Sequence, residues 1–419
     1  MNRDNGAGPD GSGQSETGTV PSGKRSILGF TLVILALVVE GFDLQAANMA
    51  APSIVSSFGI PRADIGPVLS ASLAGVLLGA MFLAPLGDRM GRRTIIIASC
   101  LAYGIISLVA AAATSIMQLI VLRFLIGIGI GAVLPNALAL AGELAPPRLL
   151  ATATGMIGIG ITFGGTLAGA AAAILMPTHG WQGVFVAGGI LPIVIAGLLW
   201  LGLPESPALK ARGAHETRGG SVRTLLSPVH RRKTLAIWAT FTLLLMIAYL
   251  LTGWIPLIIN DQGYSASEAA WIATIGHAGG IVGGVIASLA LARWRWEVVA
   301  VFATIAALSM ALLASANWGV LMLTLLIVVQ GIFTVGTQNA LNGSAGASYP
   351  ANIRALGLGW GLGLGRVGSI LGPLLGSAAL LIGLSEPRHF FIIPILPLLI
   401  TAALAVYLSR ITRTQEPHP

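Results

Sequence analysis

The sequence predicts an all-α membrane protein of twelve transmembrane helices in two six-helix bundles, and three observations predict it. The 419 residues are 55% hydrophobic and 9% charged, with a mean hydropathy of +0.87. A water-soluble chain of that composition would expose large apolar patches. Apolar runs of about 20 residues, the length that crosses a hydrocarbon core of about 30 Å, can be placed twelve times along the chain. The two halves of the chain also superpose at a nearly constant offset of 204 residues.

Taken in order, residues 1–25 are rich in Gly, Ser, Asn, Asp and Thr without an apolar core, so they read as a disordered cytoplasmic tail rather than a cleaved signal peptide. Apolar runs follow near 26–48, 64–86, 94–114, 117–140, 151–175 and 182–203, forming an N-terminal bundle over 26–203. A basic loop, 204–233, divides the chain. The second bundle, 234–410, has runs near 234–259, 267–291, 297–315, 318–347, 355–382 and 389–409, and 411–419 form a cytoplasmic tail.

Orientation comes from the cations. Of 23 Lys and Arg, only Arg62 and Arg388 fall in loops on the outer side, while Arg123 and Arg366 lie within spans. The remainder share one side with the tails, which places both termini in the cytoplasm. The net charge of +8 therefore reports topology and not nucleic-acid binding. A single cysteine, Cys100, excludes an intramolecular disulfide. No metal-ligand cluster, nucleophile elbow or nucleotide loop appears, so neither an embedded enzyme nor a cofactor is expected.

The repeat is carried by separate segments: Gly59 meets Gly263, Gly75 meets Gly279, Gly79 meets Gly283, Arg89 meets Arg293, Pro146 meets Pro350, Gly155 meets Gly359 and Gly164 meets Gly368. Two parallel six-helix repeats place a substrate site between halves that rock against each other.

Ionisable residues inside the spans mark the candidate site. Glu40 and Asp43 sit in the first apolar run; a charge at membrane depth costs roughly 2.5–3.5 kcal/mol and persists where it faces a cavity, a partner or a proton path. Arg123 opens Arg123-Phe-Leu-Ile-Gly-Ile-Gly-Ile-Gly131 in the fourth span. At 1.5 Å per residue it lies about 9 Å inside the outer boundary, a level that Asp43 also reaches. The two can pair, either as a static structural bridge or as one that opens when Asp43 is protonated and frees the guanidinium for an anion. Arg366, roughly 18 Å into the Gly-rich eleventh span, needs an anion or a carbonyl cluster and is a second candidate for a substrate carboxylate. Gln338, Asn339 and Asn342 could hydrogen-bond substrate or glue helices together. Tyr249 and Trp254 could form an aromatic wall or anchor the interface. His277 could titrate near neutral pH or pack as a neutral ring.

Between the second and third spans the chain reads Leu86-Gly-Asp-Arg-Met-Gly-Arg-Arg93. Asp88 beside Arg89, Arg92 and Arg93 can form charge-assisted bonds that hold one conformation and release in another; a purely topogenic loop would explain the cations but not the acid. Glu143 ends the fourth span before Leu144-Ala-Pro-Pro-Arg148.

This loop resembles the signature of the major facilitator superfamily, with Ala84 where the family usually has Gly. The superfamily often has Arg seven residues after the acid at Glu143; Leu150 stands there, whereas Arg354 is retained in the second half. Glu40-Gly-Phe-Asp43, Asp88-Arg-Met-Gly-Arg-Arg93, Arg123 with its glycines, Gln338 with Asn342, and Tyr349-Pro350 through Gly365-Arg-Val-Gly368 resemble the aromatic acid:proton symporter family. Glu40 through Ala47 with Leu134-Pro-Asn136 looks most like its hydroxyphenylpropionate carriers.

The resemblance implies import of an aromatic carboxylate (hydroxyphenylpropionate, benzoate or hydroxybenzoate type) with protons across the bacterial inner membrane by a monomer. It implies Asp43 and Glu40 in proton coupling, Arg123, Arg366, Gln338, Asn342, Tyr249 and Trp254 around the substrate, and Asp88, Arg89, Arg92, Arg93 and Glu143 as the gate. Carriage of another organic anion and drug:proton antiport are the alternatives. Antiporters favour Gly-x-x-x-Gly-Pro in the fifth span, where Gly164 is followed by Gly165. A membrane sensor would carry an appended domain, for which the loops leave no room.

Overall fold

In hydrocarbon a backbone N–H finds a partner only in its own chain, so each apolar run closes into a helix, glycine-rich or not. The computed structural model describes residues 23–144, 150–205, 222–384 and 386–413. In order come α1 (Gly23–Phe58), α2 (Arg62–Met90), α3 (Arg92–Ala110), α4 (Ile116–Leu144), a stretch Leu150–Gly202, α7 (Arg231–Asp261), α8 (Ala266–Ala290), α9 (Trp296–Ser315), α10 (Val320–Ala347), α11 (Ala351–Leu381) and α12 (Ile395–Arg413). The Leu150–Gly202 stretch turns at Gly180, where φ is 60° and ψ −165°, giving α5 over 150–179 and α6 over 181–202. Among the described residues eleven stretches are long and apolar enough to cross a membrane, one of them being the 45-residue Gly158–Gly202 that contains this turn. Arg148, most of the 204–233 linker and both expected tails fall outside the described residues.

The expected boundaries hold to within a few residues except for α1, which runs ten residues beyond 48 to Phe58 and carries Pro52 inside it. Prolines inside spans are tolerated where surrounding groups can take up the freed carbonyl, and Gly59, at φ 60°, ends the helix. In α2 a π-turn over Gly79–Leu83 is followed by a 3₁₀ turn over Ala84–Leu86, where Pro85 supplies no N–H.

In the first half α1 packs on the α5–α6 stretch, α2 on α4, and α3 on both α4 and the α5–α6 stretch; in the second, α7 packs on α11, α8 on α10, and α9 on α10 and α12. The duplication seen in the sequence is a duplication of contacts. A β-carbon on Gly79 would meet the Ile128 carbonyl, and one on Gly283 would meet that of Ile332; Gly127 faces Ser72 as Gly331 faces Gly276, and Gly164 faces Val38 as Gly368 faces Thr242. Each partner pair is again separated by 204 residues. Gly129, between Gly127 and Gly131, points instead at Tyr103 of α3, so alternate glycines of α4 serve two neighbours.

The halves meet along α2–α11, along α8 with the α5–α6 stretch, and along α1–α7. Among the described residues three polar contacts join them: Arg62 pairs with Asp261 at 2.8 Å, the Ser70 hydroxyl donates to the Ile370 carbonyl at 2.8 Å, and the Ser267 hydroxyl donates to the Ala173 carbonyl at 2.6 Å. All three lie in the half of the molecule away from the basic loops.

Gly127→Val and its counterpart Gly331→Val should each destabilise the protein by about 1–3 kcal/mol through overpacking. Gly359→Val, where no atom lies within 4 Å of the added carbon, should not. Thermal unfolding in detergent reads this; equal melting temperatures for all three would contradict it.

Candidate functional site

Glu40 and Asp43, three residues apart, project from one side of α1 and are 2% and 1% exposed. Asp43 turns into the first bundle. Arg123 of α4 donates from Nη1 to Asp43 Oδ2 and to the Asp43 backbone carbonyl, each at 3.3 Å, and both side chains are 1% exposed. The other guanidinium arm, Nη2, donates to the Ser72 hydroxyl of α2 at 2.8 Å, and the Phe185 ring of α6 lies 5.7 Å from the guanidinium carbon. The Ser107 hydroxyl of α3 reaches Asp43 Oδ1 at 3.4 Å and the Phe185 carbonyl at 3.1 Å, with one proton to give. Five helices thus converge on one ion pair, and Gly188 of α6 leaves the Asp43 carboxylate its space.

Glu40 is placed differently. Its Oε2 has no hydrogen-bond partner, and the cation whose field acts on it is Arg366 of α11, across the boundary between the bundles. Arg366 itself is half-buried. Of the two acids, Asp43 alone makes an ion pair with an arginine within the spans among the described residues. Tyr103 of α3 is fully buried in the same bundle, near Cys100. Ser72, Ser107, Phe185 and Tyr103 escaped the sequence reading; Tyr103 and Ser107, one turn apart among apolar neighbours, were the available signal.

The remaining candidates are spread along the second bundle. Gln338 is half-buried, with its carbonyl oxygen unpartnered, and donates to the exposed Asn342 at 3.5 Å. Tyr249 packs half-buried against the core. Trp254 stands apart: its indole N–H donates to the Pro373 carbonyl at 3.0 Å and its ring stacks 5.3 Å from Phe390, so it fastens α7 to α11 and to the lead-in of α12.

At the basic face Gly91, at φ 102°, turns α2 into α3. Arg92 pairs with Asp88 at 3.1 Å and also with Glu143 of α4. Glu143 is thus met by an arginine of the loop and not only from its own end of α4. The Arg93 backbone N–H donates to Glu205 at 3.3 Å and its guanidinium to the Trp200 carbonyl at 2.5 Å. Arg89 is exposed. These bonds tie the loop to α4 and α6 of its own bundle. Among the described residues no cluster of His, Cys, Asp or Glu could hold a metal.

A carboxylate facing a guanidinium in a dry interior can be neutralised by one proton, which releases the cation for another anion. Removing one member of such a pair costs about 3–5 kcal/mol because it strands the other. Arg123→Met should therefore destabilise far more than Ser72→Ala, which loses one hydrogen bond of about 1 kcal/mol. Adding Asp43→Asn to Arg123→Met should restore part of the loss. Unfolding of the purified variants tests this ordering, and an additive double variant would contradict the pairing.

Residues 33–321 and 260–419 match the Major Facilitator Superfamily model. The gallate transporter of Pseudomonas putida is 34% identical over 388 residues, covering 86% of this chain and 86% of that protein. The 4-hydroxybenzoate transporter of Pseudomonas aeruginosa is 32% identical over 84% of this chain and 86% of its own length. The 3-(3-hydroxy-phenyl)propionate transporter of Escherichia coli is 32% identical over 86% of this chain and 89% of its own length. A bacterial homolog of the human lysosomal transporter Spinster shares the fold, with a TM-score of 0.78 at 20% identity over 96% of this chain and 100% of that one. With the bundle architecture, the duplicated glycine contacts and these relatives together, the chain belongs to the Major Facilitator Superfamily.

Proposed function

We propose that the protein is a monomeric proton symporter that imports a small aromatic carboxylate across the bacterial inner membrane by alternating access of its two bundles. The observation that carries this reading is the burial of two carboxylates, Glu40 and Asp43, on one side of α1, with Asp43 bonded to the buried Arg123. Kinship with carriers of gallate, 4-hydroxybenzoate and 3-(3-hydroxy-phenyl)propionate supplies the substrate class.

On the positive-inside rule we read the basic face and both termini as cytoplasmic, and we count the two sides of the Gly180 turn as separate crossings, which makes twelve. In this reading the contacts Arg62–Asp261, Ser70–Ile370 and Ser267–Ala173 hold the bundles together on the outer side. In the outward state a proton on Glu40 releases Arg366 to take the substrate carboxylate, within reach of Tyr249, Gln338 and Asn342. Protonation of Asp43 loosens Arg123 and with it the seam of α1, α2 and α4. Arg92, bridging Asp88 and Glu143, stiffens the cytoplasmic end of the first bundle so that it moves as one body, with Arg89 and Arg93 beside it. The proton gradient is the driving force, and no cofactor takes part.

Proteoliposomes with an imposed pH gradient, acid outside, should accumulate labelled 4-hydroxybenzoate, gallate or 3-(3-hydroxyphenyl)propionate, and an uncoupler should abolish the accumulation. Uptake indifferent to the gradient, or a preference for non-aromatic acids, overturns the proposal. Asp43→Asn should lose gradient-driven accumulation while retaining exchange; accumulation at the wild-type level removes Asp43 from coupling. Asp261→Asn, which breaks a half-exposed pair worth up to about 1 kcal/mol, should raise labelling of a Ser70→Cys variant by an impermeant thiol reagent from outside, by up to about fivefold.

A further inference from the structure

Met49 of α1, Thr252 of α7, His277 of α8, and Gln330 and Thr334 of α10 line a cavity of about 60 Å³ that the proposed mechanism does not use. It lies where the bundles meet: Met49 belongs to the first and the rest to the second, and a β-carbon on Gly165 of α5 would strike the His277 ring on one side and the Gln45 side chain on the other. Its lining includes no Asp, Glu, Lys or Arg. A carboxylate there would be stripped of water without compensation, so the charged end of a substrate is excluded.

The polar groups it does present have unused hydrogen-bonding capacity. Gln330 donates from Nε2 to the Thr334 hydroxyl at 3.0 Å, which leaves the Gln330 carbonyl oxygen as an acceptor and the Thr334 proton as a donor. Among the described residues neither nitrogen of His277 has a hydrogen-bond partner. Thr252 is already committed to the Ala248 carbonyl at 2.9 Å. A neutral group that both donates and accepts, on an apolar body, matches this set. The cavity equals the share of about two waters, enough for a hydroxyl and the edge of a ring but not for a whole acid.

We propose that this cavity receives the ring hydroxyl of the carried acid, so that His277, Gln330 and Thr334 set a preference for hydroxylated over unsubstituted rings. The inference rests on the aromatic-acid reading above and adds the subsite that selects within that class.

The test compares half-saturating concentrations for uptake of 4-hydroxybenzoate and benzoate in proteoliposomes. The wild type should favour the hydroxylated acid. Gln330→Met and Thr334→Val should each cut that preference about three- to tenfold, the worth of one hydrogen bond. His277→Phe should do the same, whereas His277→Gln, which keeps a donor and an acceptor, should retain most of it. A wild type that carries both acids without preference overturns the subsite while leaving the aromatic-acid reading in place, and needs no variant to show it. Variants in which both concentrations rise together at constant ratio also overturn it, because the residues would then be structural. If the wild type carries gallate or 3-(3-hydroxyphenyl)propionate instead, the same ratio is read against benzoate or 3-phenylpropionate; a wild type that carries none of these acids overturns the aromatic-acid reading and the subsite with it.

Discussion

Everything in the first bundle is arranged around one constraint: Arg123 cannot be left alone in a dry interior. Its guanidinium is fully buried and spans Asp43 on α1 and Ser72 on α2, with Phe185 on α6 beneath it. Because a stranded charge costs several kcal/mol, the helices that supply its partners are held in register by it. The glycines that let α2 and α4 approach, Gly75, Gly127 and Gly131, lie next to this pair in the fold and make the short reach to Ser72 possible. Packing and electrostatics therefore specify the same arrangement.

The second bundle reproduces the glycine seams but not the charge. At the position 204 residues after Arg123 stands Ile327, and after Asp43 stands Ile247, both buried in the core. Duplication preserved the scaffold, while the ionisable chemistry stayed on one side and the second bundle contributed Arg366 and the amides. The asymmetry is one of chemistry: two buried carboxylates and Arg123 on one side, Arg366 with amides and His277 on the other.

Much of this was legible in the sequence, because a helix converts residue count into depth. Counting along α1 and α4 was enough to put Asp43 and Arg123 at one level, and the 204-residue repeat announced two equivalent bundles. Partnerships that depend on which way a helix is rotated were not legible. The binding partner of Glu143 came from Arg92, a residue already assigned to another motif, and Glu205 at the end of α6 joined the same loop without any motif to mark it. Trp254 read as an aromatic wall, but its indole N–H had a carbonyl to satisfy at Pro373. The cavity at His277 is built by four helices together, and no single stretch of sequence encodes it.

The seams inside each bundle and the joint between bundles are made of different materials. Inside, backbone lies against backbone with no side chain between, and nothing could replace that contact if it opened. At the joint, two of the three polar links are serine hydroxyls on neighbouring carbonyls. When the faces part, the Ser70 hydroxyl can swing back onto a carbonyl of its own helix one turn earlier, and Ser267, at the very start of α8, can turn to water. A hinge built this way can open and shut repeatedly at little energetic expense while the parts it connects remain stiff.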